Sequence, residues 1–204
     1  MNRLSMTLKP LLASLFPLAL LAACDNTPAQ PDLATAPLAG SSIGGDFELV
    51  DTSGQRVTQD NFAGKWRIMY FGYAYCPDIC PFDVQKLVKG YNLFAEDNPE
   101  LAANVVPIFI TIDPERDTPD VVAQFTSAFS DDLVGLTGTP EQVDAAAKAY
   151  AVFYGKGEEN AEGGYLMDHS RAAYLIDPQG NPIATLAVEN SGEAVAADLA
   201  KWVR

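Results

Sequence analysis

Histidine, cysteine and positive charge are scarce in this chain. Its 204 residues include one His and three Cys, and 13 Lys and Arg stand against 27 Asp and Glu, giving a formal net charge of −14. A surface this acidic argues against binding of nucleic acid, and against attachment to anionic lipid through a basic patch. The sequence shows no internal repeat and no second change of composition, so one domain is expected.

The N-terminal segment reads as a bacterial lipoprotein signal. Residues 1–23 carry Arg3 and Lys9, no acidic residue, and the apolar run "PLLASLFPLALLAA", which is too short for a comfortable membrane span. The run ends in "LLAACD", where small residues precede Cys24 as they do in bacterial lipoprotein signals. We therefore expect residues 1–23 to be a signal peptide and Cys24 to be lipidated, the alternative being an unmodified or disulfide-bonded cysteine. Asp25 resembles a signal for retention in the inner membrane.

The stretch that follows lacks any apolar periodicity. In residues 24–42, "CDNTPAQPDLATAPLAGSS" is rich in Pro, Ala, Ser and Thr, and this predicts a flexible tether behind the lipidated cysteine. The remaining residues, 43–204, suit one domain with a sizeable core.

Strand and helix patterns alternate along this domain. "DFELVDTSGQRVT" predicts an opening β-hairpin, and "WRIMYFGYAY" predicts a buried strand that ends at Cys76. Helical spacing follows from Phe82 to Glu96. Further strands are predicted in "VVPIFITID", "LVGLTG", "AAYLIDPQG" and "NPIATLAV", and further helices in "DTPDVVAQFTSAF", "TPEQVDAAAKAYAV" and "GEAVAADLAKWVR". This order predicts an α/β fold with a mixed central sheet flanked by helices, and it resembles the thioredoxin fold with an added N-terminal β-hairpin.

Two cysteines lie in the turn between the first long strand and its helix. Cys76 and Cys80 have C-x-x-x-C spacing, one residue wider than the C-x-x-C of thioredoxin-like oxidoreductases. The helix N-terminus should lower the pKa of both thiols. The pair can form a structural disulfide, a redox dithiol or two arms of a metal site. A disulfide that closes so short a loop would contribute only about 2 kcal/mol to the free energy of unfolding, and a domain of this size does not need that contribution.

The single histidine, His169, precedes a predicted strand in "YLMDHSRAAYLID". In a thioredoxin-like fold this position packs against the active-site cysteines and normally carries a cis-proline, which is missing here. Two thiolates and one imidazole form a ligand set suited to copper or zinc, although structural zinc asks for a fourth protein ligand. Cu(I) can use the three ligands as a trigonal site, and Cu(II) can add an oxygen.

Several motifs together resemble the Sco (SenC/PrrC) family, in order and over nearly the whole domain from about residue 43. They are "GGDFELVD", "GQRVTQDNFAGKW", "YFGYAYCPDICPFDVQKL", "ITIDPERDTPDVVAQF", "GLTGTPEQV" and "DHSRAAYLIDPQG". The resemblance implies a thioredoxin-like fold and copper, as Cu(I) and Cu(II), bound by Cys76, Cys80 and His169. It also implies a part in assembling the CuA centre of cytochrome c oxidase, on the periplasmic face of the membrane.

The partners expected on this reading are cytochrome c oxidase subunit II, with its CuA domain, or another periplasmic copper protein. A periplasmic copper carrier or thiol reductant would act upstream, and the membrane would be reached through the lipid anchor alone. Many family members have a transmembrane helix where this chain has a lipobox, and either anchor leaves the domain facing the periplasm.

Three acidic residues are candidates for supporting roles. Asp113 and Asp117 lie in "DPERDTP" at the carboxyl end of a predicted strand, where they could orient His169 or simply shape a turn and cap a helix. Asp78, between the cysteines, could offer an oxygen to Cu(II) or be an ordinary exposed turn residue.

A rival hypothesis makes the protein a thiol-disulfide reductase acting on the cysteines of periplasmic copper proteins. His169 would separate the two functions, because a reductase should tolerate its loss. A peroxidase of the peroxiredoxin type is disfavoured, because the sequence has no peroxidatic T-x-x-C motif.

Overall fold

The structure is a computed structural model that describes residues 30–161 and 164–204. The predicted signal peptide and Cys24 lie outside these residues. Within the described part of the chain, no helix is both long enough and apolar enough to cross a membrane.

Strands and helices follow one another in nearly the predicted order. The strands are β1 (Glu48–Asp51), β2 (Arg56–Thr58), β3 (Trp66–Gly72), β4 (Val105–Thr111), β5 (Val134–Thr137), β6 (Tyr154–Lys156), β7 (Met167–His169), β8 (Ala173–Ile176) and β9 (Pro182–Leu186). The helices are α1 (Ile79–Asp97), α2 (Pro99–Ala102), α3 (Pro119–Ser127), α4 (Pro140–Ala149) and α5 (Gly192–Trp202). Short 3-10 helices span Leu33–Thr35 and Gln59–Phe62.

Seven strands form one mixed sheet in the order β2-β1-β5-β4-β3-β8-β9. The central strands β3, β4 and β5 are parallel, whereas β1 and β8 join them antiparallel. The remaining strands, β6 and β7, pair only with each other in a separate two-stranded sheet. The predicted mixed α/β architecture with its N-terminal hairpin, β1 and β2, is confirmed.

Both faces of the central sheet are covered, because every residue of β3 is buried. Successive strand residues point to opposite faces. On one face Tyr70 stacks on Phe109, which in turn contacts Phe125 of α3. On the other face Phe71 contacts Tyr150, the residue directly after α4. A strand buried on both sides is the environment that its unbroken run of apolar and aromatic residues predicts.

Helices α3 and α4 begin where their capping residues predict. Thr118 and Thr139 each accept a hydrogen bond from a backbone N–H in the first turn, and each is followed by a proline. The threonine hydroxyl satisfies one of the free N–H groups, and proline at the first helical position loses no hydrogen bond there. Helix α3 thus follows β4 after the "DPERD" loop and α4 follows β5 after a short turn, at the edge of the sheet that carries the candidate site.

Three features differ from the sequence-based expectations. Strand β3 ends at Gly72, and α1 starts at Ile79, so Cys80 lies inside the helix and not before it. The short helix α2 and the two-stranded sheet of β6 and β7 were not predicted. A three-residue strand is too short to show a recognisable alternation of apolar and polar residues, so the sequence does not predict it and its pairing depends on tertiary contacts.

The described part of the predicted tether packs against the domain. Ala36 is only 6% exposed, and the backbone N–H of Leu38 donates to the carbonyl of Ile183 over 3.0 Å. The Gln30 amide also donates to the carbonyl of Val203 over 3.0 Å. The part of the chain that packs against the domain therefore begins before residue 43. A few residues among the prolines contact β9 and the end of α5.

Candidate metal centre

The candidate site lies at the edge of the sheet where β3 and β4 end. The two strands run parallel, with Gly72 aligned to Thr111 at their carboxyl ends. The chain leaves β3 into the cysteine turn, residues 73–80, and leaves β4 into the "DPERD" loop. In α/β folds this edge is where connecting loops build binding sites.

Cys80 is held inside the protein by the core. It is 0% exposed and lies in the first turn of α1. Gly72 leaves the space for its sulfur, since a Cβ at that position would lie 3.1 Å from Cys80 Sγ and 2.8 Å from Tyr70 Cε1. The position of this thiol is thus fixed by packing between the end of β3 and the start of α1.

Cys76 is half-buried and its sulfur faces the start of the helix. The backbone N–H of Cys80 donates to Cys76 Sγ over 3.4 Å. Partial burial opposes ionisation, but hydrogen bonds from the backbone N–H groups of Cys80 and Asp78 outweigh it and lower the pKa of Cys76. A free N–H at a helix N-terminus stabilises a thiolate, as predicted for this cysteine.

The same prediction is wrong for Cys80, whose pKa is raised. Burial is the largest cause, and the neighbouring Cys76 adds to it by charge repulsion. Desolvation of a fully buried thiolate exceeds the stabilisation available at the helix terminus. Neither cysteine is in a disulfide in this structure.

His169 ends β7, and its ring contacts the buried cysteine of α1. Its Nε2 lies 3.3 Å from Cys80 Sγ, and its Nδ1 lies 2.9 Å from the carbonyl oxygen of Ser170. A carbonyl only accepts, so in the neutral ring Nδ1 carries the proton and the Nε2 lone pair faces the sulfur. Tyr73 packs edge-on against the ring at a centroid distance of 6.0 Å.

The environment keeps this imidazole neutral. Burial lowers the pKa of His169, and it outweighs the opposing effect of the hydrogen bond to the Ser170 carbonyl. A neutral imidazole is the form that ligates metals. The half-buried His169 ring therefore sits beside the thiols in its ligating state at neutral pH.

The donor set is two sulfurs and one imidazole nitrogen. Cys76 and His169 line a depression together with Pro77, Ile79 and Leu166, and Cys80 contacts His169 from within the core. Soft thiolates with an imidazole suit Cu(I). In residues 30–161 and 164–204, however, no three His, Cys, Asp or Glu side chains already form a closed metal-binding cluster. Close contacts here join Cys80 to His169 and Cys76 to the backbone of Cys80.

The three acidic candidates have different surroundings. Asp117 is buried and accepts hydrogen bonds from the Ala74 N–H at 2.8 Å and the Thr111 hydroxyl at 2.6 Å, so it braces the cysteine turn. Burial raises its pKa against these hydrogen bonds. Asp113, also buried, pairs with Arg116. Asp78 is exposed and its side chain makes no capping hydrogen bond to α1.

Arg116 and Tyr165 connect the "DPERD" loop to the segment that carries His169. The Arg116 guanidinium lies over the Tyr165 ring, 3.6 Å from its centroid, and donates to the Tyr165 carbonyl over 2.9 Å. The Tyr165 hydroxyl donates to Asp113 over 2.9 Å. Sequence reasoning placed Arg116 in a marked motif but missed Tyr165, because the pair is 49 residues apart.

A second connection, also missed, joins α1 to the chain just beyond His169. Arg171 donates to both carboxylate oxygens of Asp83, at 3.1 and 2.8 Å, and the Tyr70 hydroxyl donates to the same carboxylate over 3.2 Å. Asp83 is 0% exposed. An acidic residue at an apolar helix position, one turn after Cys80, was the available signal, because buried carboxylates need partners.

Known proteins resemble this chain over most of its length. A family model described as SCO1/SenC matches residues 35–204. Protein SenC of Rhodobacter capsulatus is 43% identical over 141 residues, which cover 69% of this chain and 62% of that protein. Protein SCO1 homolog 1, mitochondrial, of Arabidopsis thaliana is 40% identical over 169 residues, which cover 82% of this chain and 49% of that protein. The chain thus spans about half the length of that mitochondrial relative.

Solved structures agree with the fold. Arabidopsis thaliana ScoI with copper bound superposes with a TM-score of 0.73 at 40% identity, covering 78% of this chain and 96% of that one. Bradyrhizobium japonicum ScoI with copper bound gives 0.70 at 35% identity, covering 79% and 99%. The predicted thioredoxin-like fold is confirmed by this likeness.

Proposed function

Because the chain belongs to the SCO1/SenC family, we propose that it binds copper through Cys76, Cys80 and His169 and serves in the assembly of cytochrome c oxidase. The finer proposal is that it delivers copper to the CuA centre in subunit II of the oxidase, or prepares the cysteines of that centre. The observation that carries the proposal is the 3.3 Å contact between His169 Nε2 and Cys80 Sγ. Cys76 lies beside them, because its sulfur accepts a hydrogen bond from the Cys80 N–H at the start of α1.

The donor set supports copper as the cargo. Two thiolates and a neutral imidazole match the ligand preference of Cu(I), and solved relatives at 40% and 35% identity hold copper. Copper has to displace the proton of Cys80, whose pKa burial raises. Its binding should therefore release protons and weaken as the pH falls.

Copper titration of the chain from residue 25 onward, which keeps every described residue, tests this proposal. We expect one tight equivalent of copper in the reduced protein, read for Cu(II) by a sulfur-to-copper charge-transfer band and paramagnetic resonance. Cys76→Ser and His169→Ala should each weaken binding strongly, while Arg56→Ala, an exposed change in the β1–β2 hairpin, should leave it intact. If His169→Ala still bound copper tightly, the proposed three-ligand site would be wrong.

A second candidate function is thiol-disulfide reduction, and the contrast between the two thiols favours it. Cys76 is the accessible thiol with the lowered pKa, and Cys80 is the buried thiol with the raised pKa. The Cys76 thiolate would attack the acceptor disulfide and displace one acceptor thiolate. Cys80 would then attack the mixed disulfide, leaving a reduced acceptor and a Cys76–Cys80 disulfide.

Single-turnover reduction of a CuA-domain disulfide separates the two functions. A reductase should form its own disulfide in stoichiometric amount with acceptor thiols and keep that activity in His169→Ala. Loss of copper binding with retained reduction in this variant would establish both activities as separable. No reduction by the wild-type protein would exclude the second function.

The cellular location belongs to the same proposal. We place the domain on the periplasmic side of the inner membrane, attached through a lipid on Cys24, and the lipobox "LLAAC" carries this placement. Metabolic labelling with a radioactive fatty acid should mark the wild-type protein but not Cys24→Ala. Equal labelling of both proteins would contradict the anchor.

A further inference from the structure

The segment that carries His169 has little main-chain connection to the helix that carries Cys80. We call the paired strands β6 (Tyr154–Lys156) and β7 (Met167–His169) the histidine hairpin. Its backbone pairs internally, with Tyr154 opposite His169, and Ser170 bonds back to Phe153. After His169, pairing with the central sheet resumes at Ala173, where β8 pairs with β3. Side-chain contacts must therefore set the distance between His169 and Cys80.

The Asp83–Arg171 pair is placed to set that distance. Asp83 follows Cys80 by one helical turn, and Arg171 follows His169 by two residues. The guanidinium grips both carboxylate oxygens, at 3.1 and 2.8 Å, and Tyr70 from β3 holds the same carboxylate. A bidentate pair of this kind fixes direction as well as distance, because two parallel hydrogen bonds prevent rotation.

Stability alone does not account for this pair. Asp83 is 0% exposed, and burying a carboxylate carries a desolvation cost that its partner often only balances. Replacing a buried ion pair as a whole by apolar residues of similar volume is often neutral or stabilising. A pair with one fully buried partner can instead serve to select one geometry among several of similar energy, and that is the role the contacts of Asp83 favour.

Resting on the proposed copper site, we infer that Asp83 and Arg171 are positioning residues that hold the His169 imidazole against Cys80 for metal binding. They do so without touching the ion themselves. The planar guanidinium of Arg171 makes two parallel hydrogen bonds, which a lysine cannot replace. An ammonium group acts as a point charge and does not fix the orientation of the carboxylate that it pairs with.

A double-mutant cycle tests the inference by Cu(I) competition with a chromophoric chelator, in reduced protein. Arg171→Ala should weaken Cu(I) affinity about 10-fold, the effect expected for a residue that orients a ligand. In the His169→Ala background the same change should alter affinity by less than about 2-fold, because there is no imidazole left to position. Equal losses in both backgrounds, or no loss in either, would overturn the inference.

Two further variants control for charge and folding. Arg56→Ala removes an arginine from a surface pair with Glu48 on β1 and β2, and it should leave affinity unchanged. Arg171→Lys should recover only part of the affinity. Arg171→Ala takes the guanidinium away from the buried Asp83 carboxylate, so Arg171→Gln, which keeps a hydrogen-bond donor, carries the same cycle if the alanine variant fails to fold.

A measurement on metal-free protein separates this inference from the copper proposal. The chain has one histidine, so its ring protons are identified without ambiguity. The nuclear Overhauser effect between His169 and Tyr73, whose rings are 6.0 Å apart, should weaken in Arg171→Ala and persist in Arg56→Ala. Absence of copper binding by the wild type would defeat the proposed function alone. An unchanged ring contact in Arg171→Ala would defeat the positioning role.

Discussion

The two halves of the candidate metal centre are built in different ways. The cysteine turn joins a fully buried strand, β3, to α1, the longest helix among the described residues, and Cys80 itself is part of the core. The histidine hairpin consists of two three-residue strands that pair with each other and not with the main sheet. Core packing fixes the position of the cysteine turn, whereas a few polar side chains fix the position of the histidine hairpin.

This difference teaches where the site can adjust. A packed core has few alternative arrangements, so Cys80 keeps its place. The hairpin is held through Arg116 to Tyr165 and Arg171 to Asp83, and such contacts can break one at a time. Changes near Cys80 should therefore affect stability, and changes at the hairpin contacts should affect ligand geometry.

The largest expected effect is within the cysteine turn itself. In metal-free reduced protein, Cys76 should react with iodoacetamide about 100-fold faster than Cys80, because it is more accessible and its pKa is lowered while that of Cys80 is raised. Mass spectrometry of Cys76→Ser and Cys80→Ser measures each thiol alone. Similar rates for both would mean that the turn opens readily and is not fixed by the core.

A pair of glycine substitutions compares packing in the two halves. Gly72→Ala should lower the free energy of unfolding by about 2–3 kcal/mol, because its Cβ would clash with Tyr70 and crowd Cys80 Sγ. Gly155→Ala in the hairpin is the matched control, since its Cβ would meet only Phe153, at 4.0 Å. Chemical denaturation measures both, and equal losses would contradict the distinction.

The acidic candidates give a smaller contrast. Asp117→Ala should cost about 1–2 kcal/mol of unfolding free energy, because the Ala74 N–H and the Thr111 hydroxyl lose their buried acceptor. Asp78→Ala, at an exposed position, should change stability little. Urea unfolding of both variants checks this, and an Asp117→Ala protein as stable as wild type would show that the turn needs no brace.

The smallest expected effect is a pH dependence from His169. Burial lowers its pKa below 6.5, so the unfolded chain takes up a proton at a higher pH than the folded chain does. Unfolding free energy should therefore be unaffected by this group above pH 6.5 and decline as pH falls through the range below it. The difference between wild type and His169→Gln isolates the effect from the carboxylates, and a constant difference across that range would contradict it.

The sequence anticipated most of the elements because their signals are local. The threonine caps and prolines of α3 and α4, the apolar run of β3 and the turn between β8 and β9 each act within a few residues. The unpredicted parts depend on distant partners. The β6–β7 pairing has no local signature, and although an acidic residue at an apolar helix position marks Asp83, nothing local identifies its partner Arg171, 88 residues away.

The sequence by itself determined the order of most strands and helices, the presence of two thiols and one imidazole in the domain, and a helix next to the cysteines. These follow from periodicity, capping and residue chemistry, which act over short range. Only the tertiary structure decided that Cys80 is buried and Cys76 is not, so that a shared helix terminus gives their pKa values opposite shifts. It also decided how His169 is held against Cys80, because burial and distance are properties of the packed chain and not of neighbouring residues.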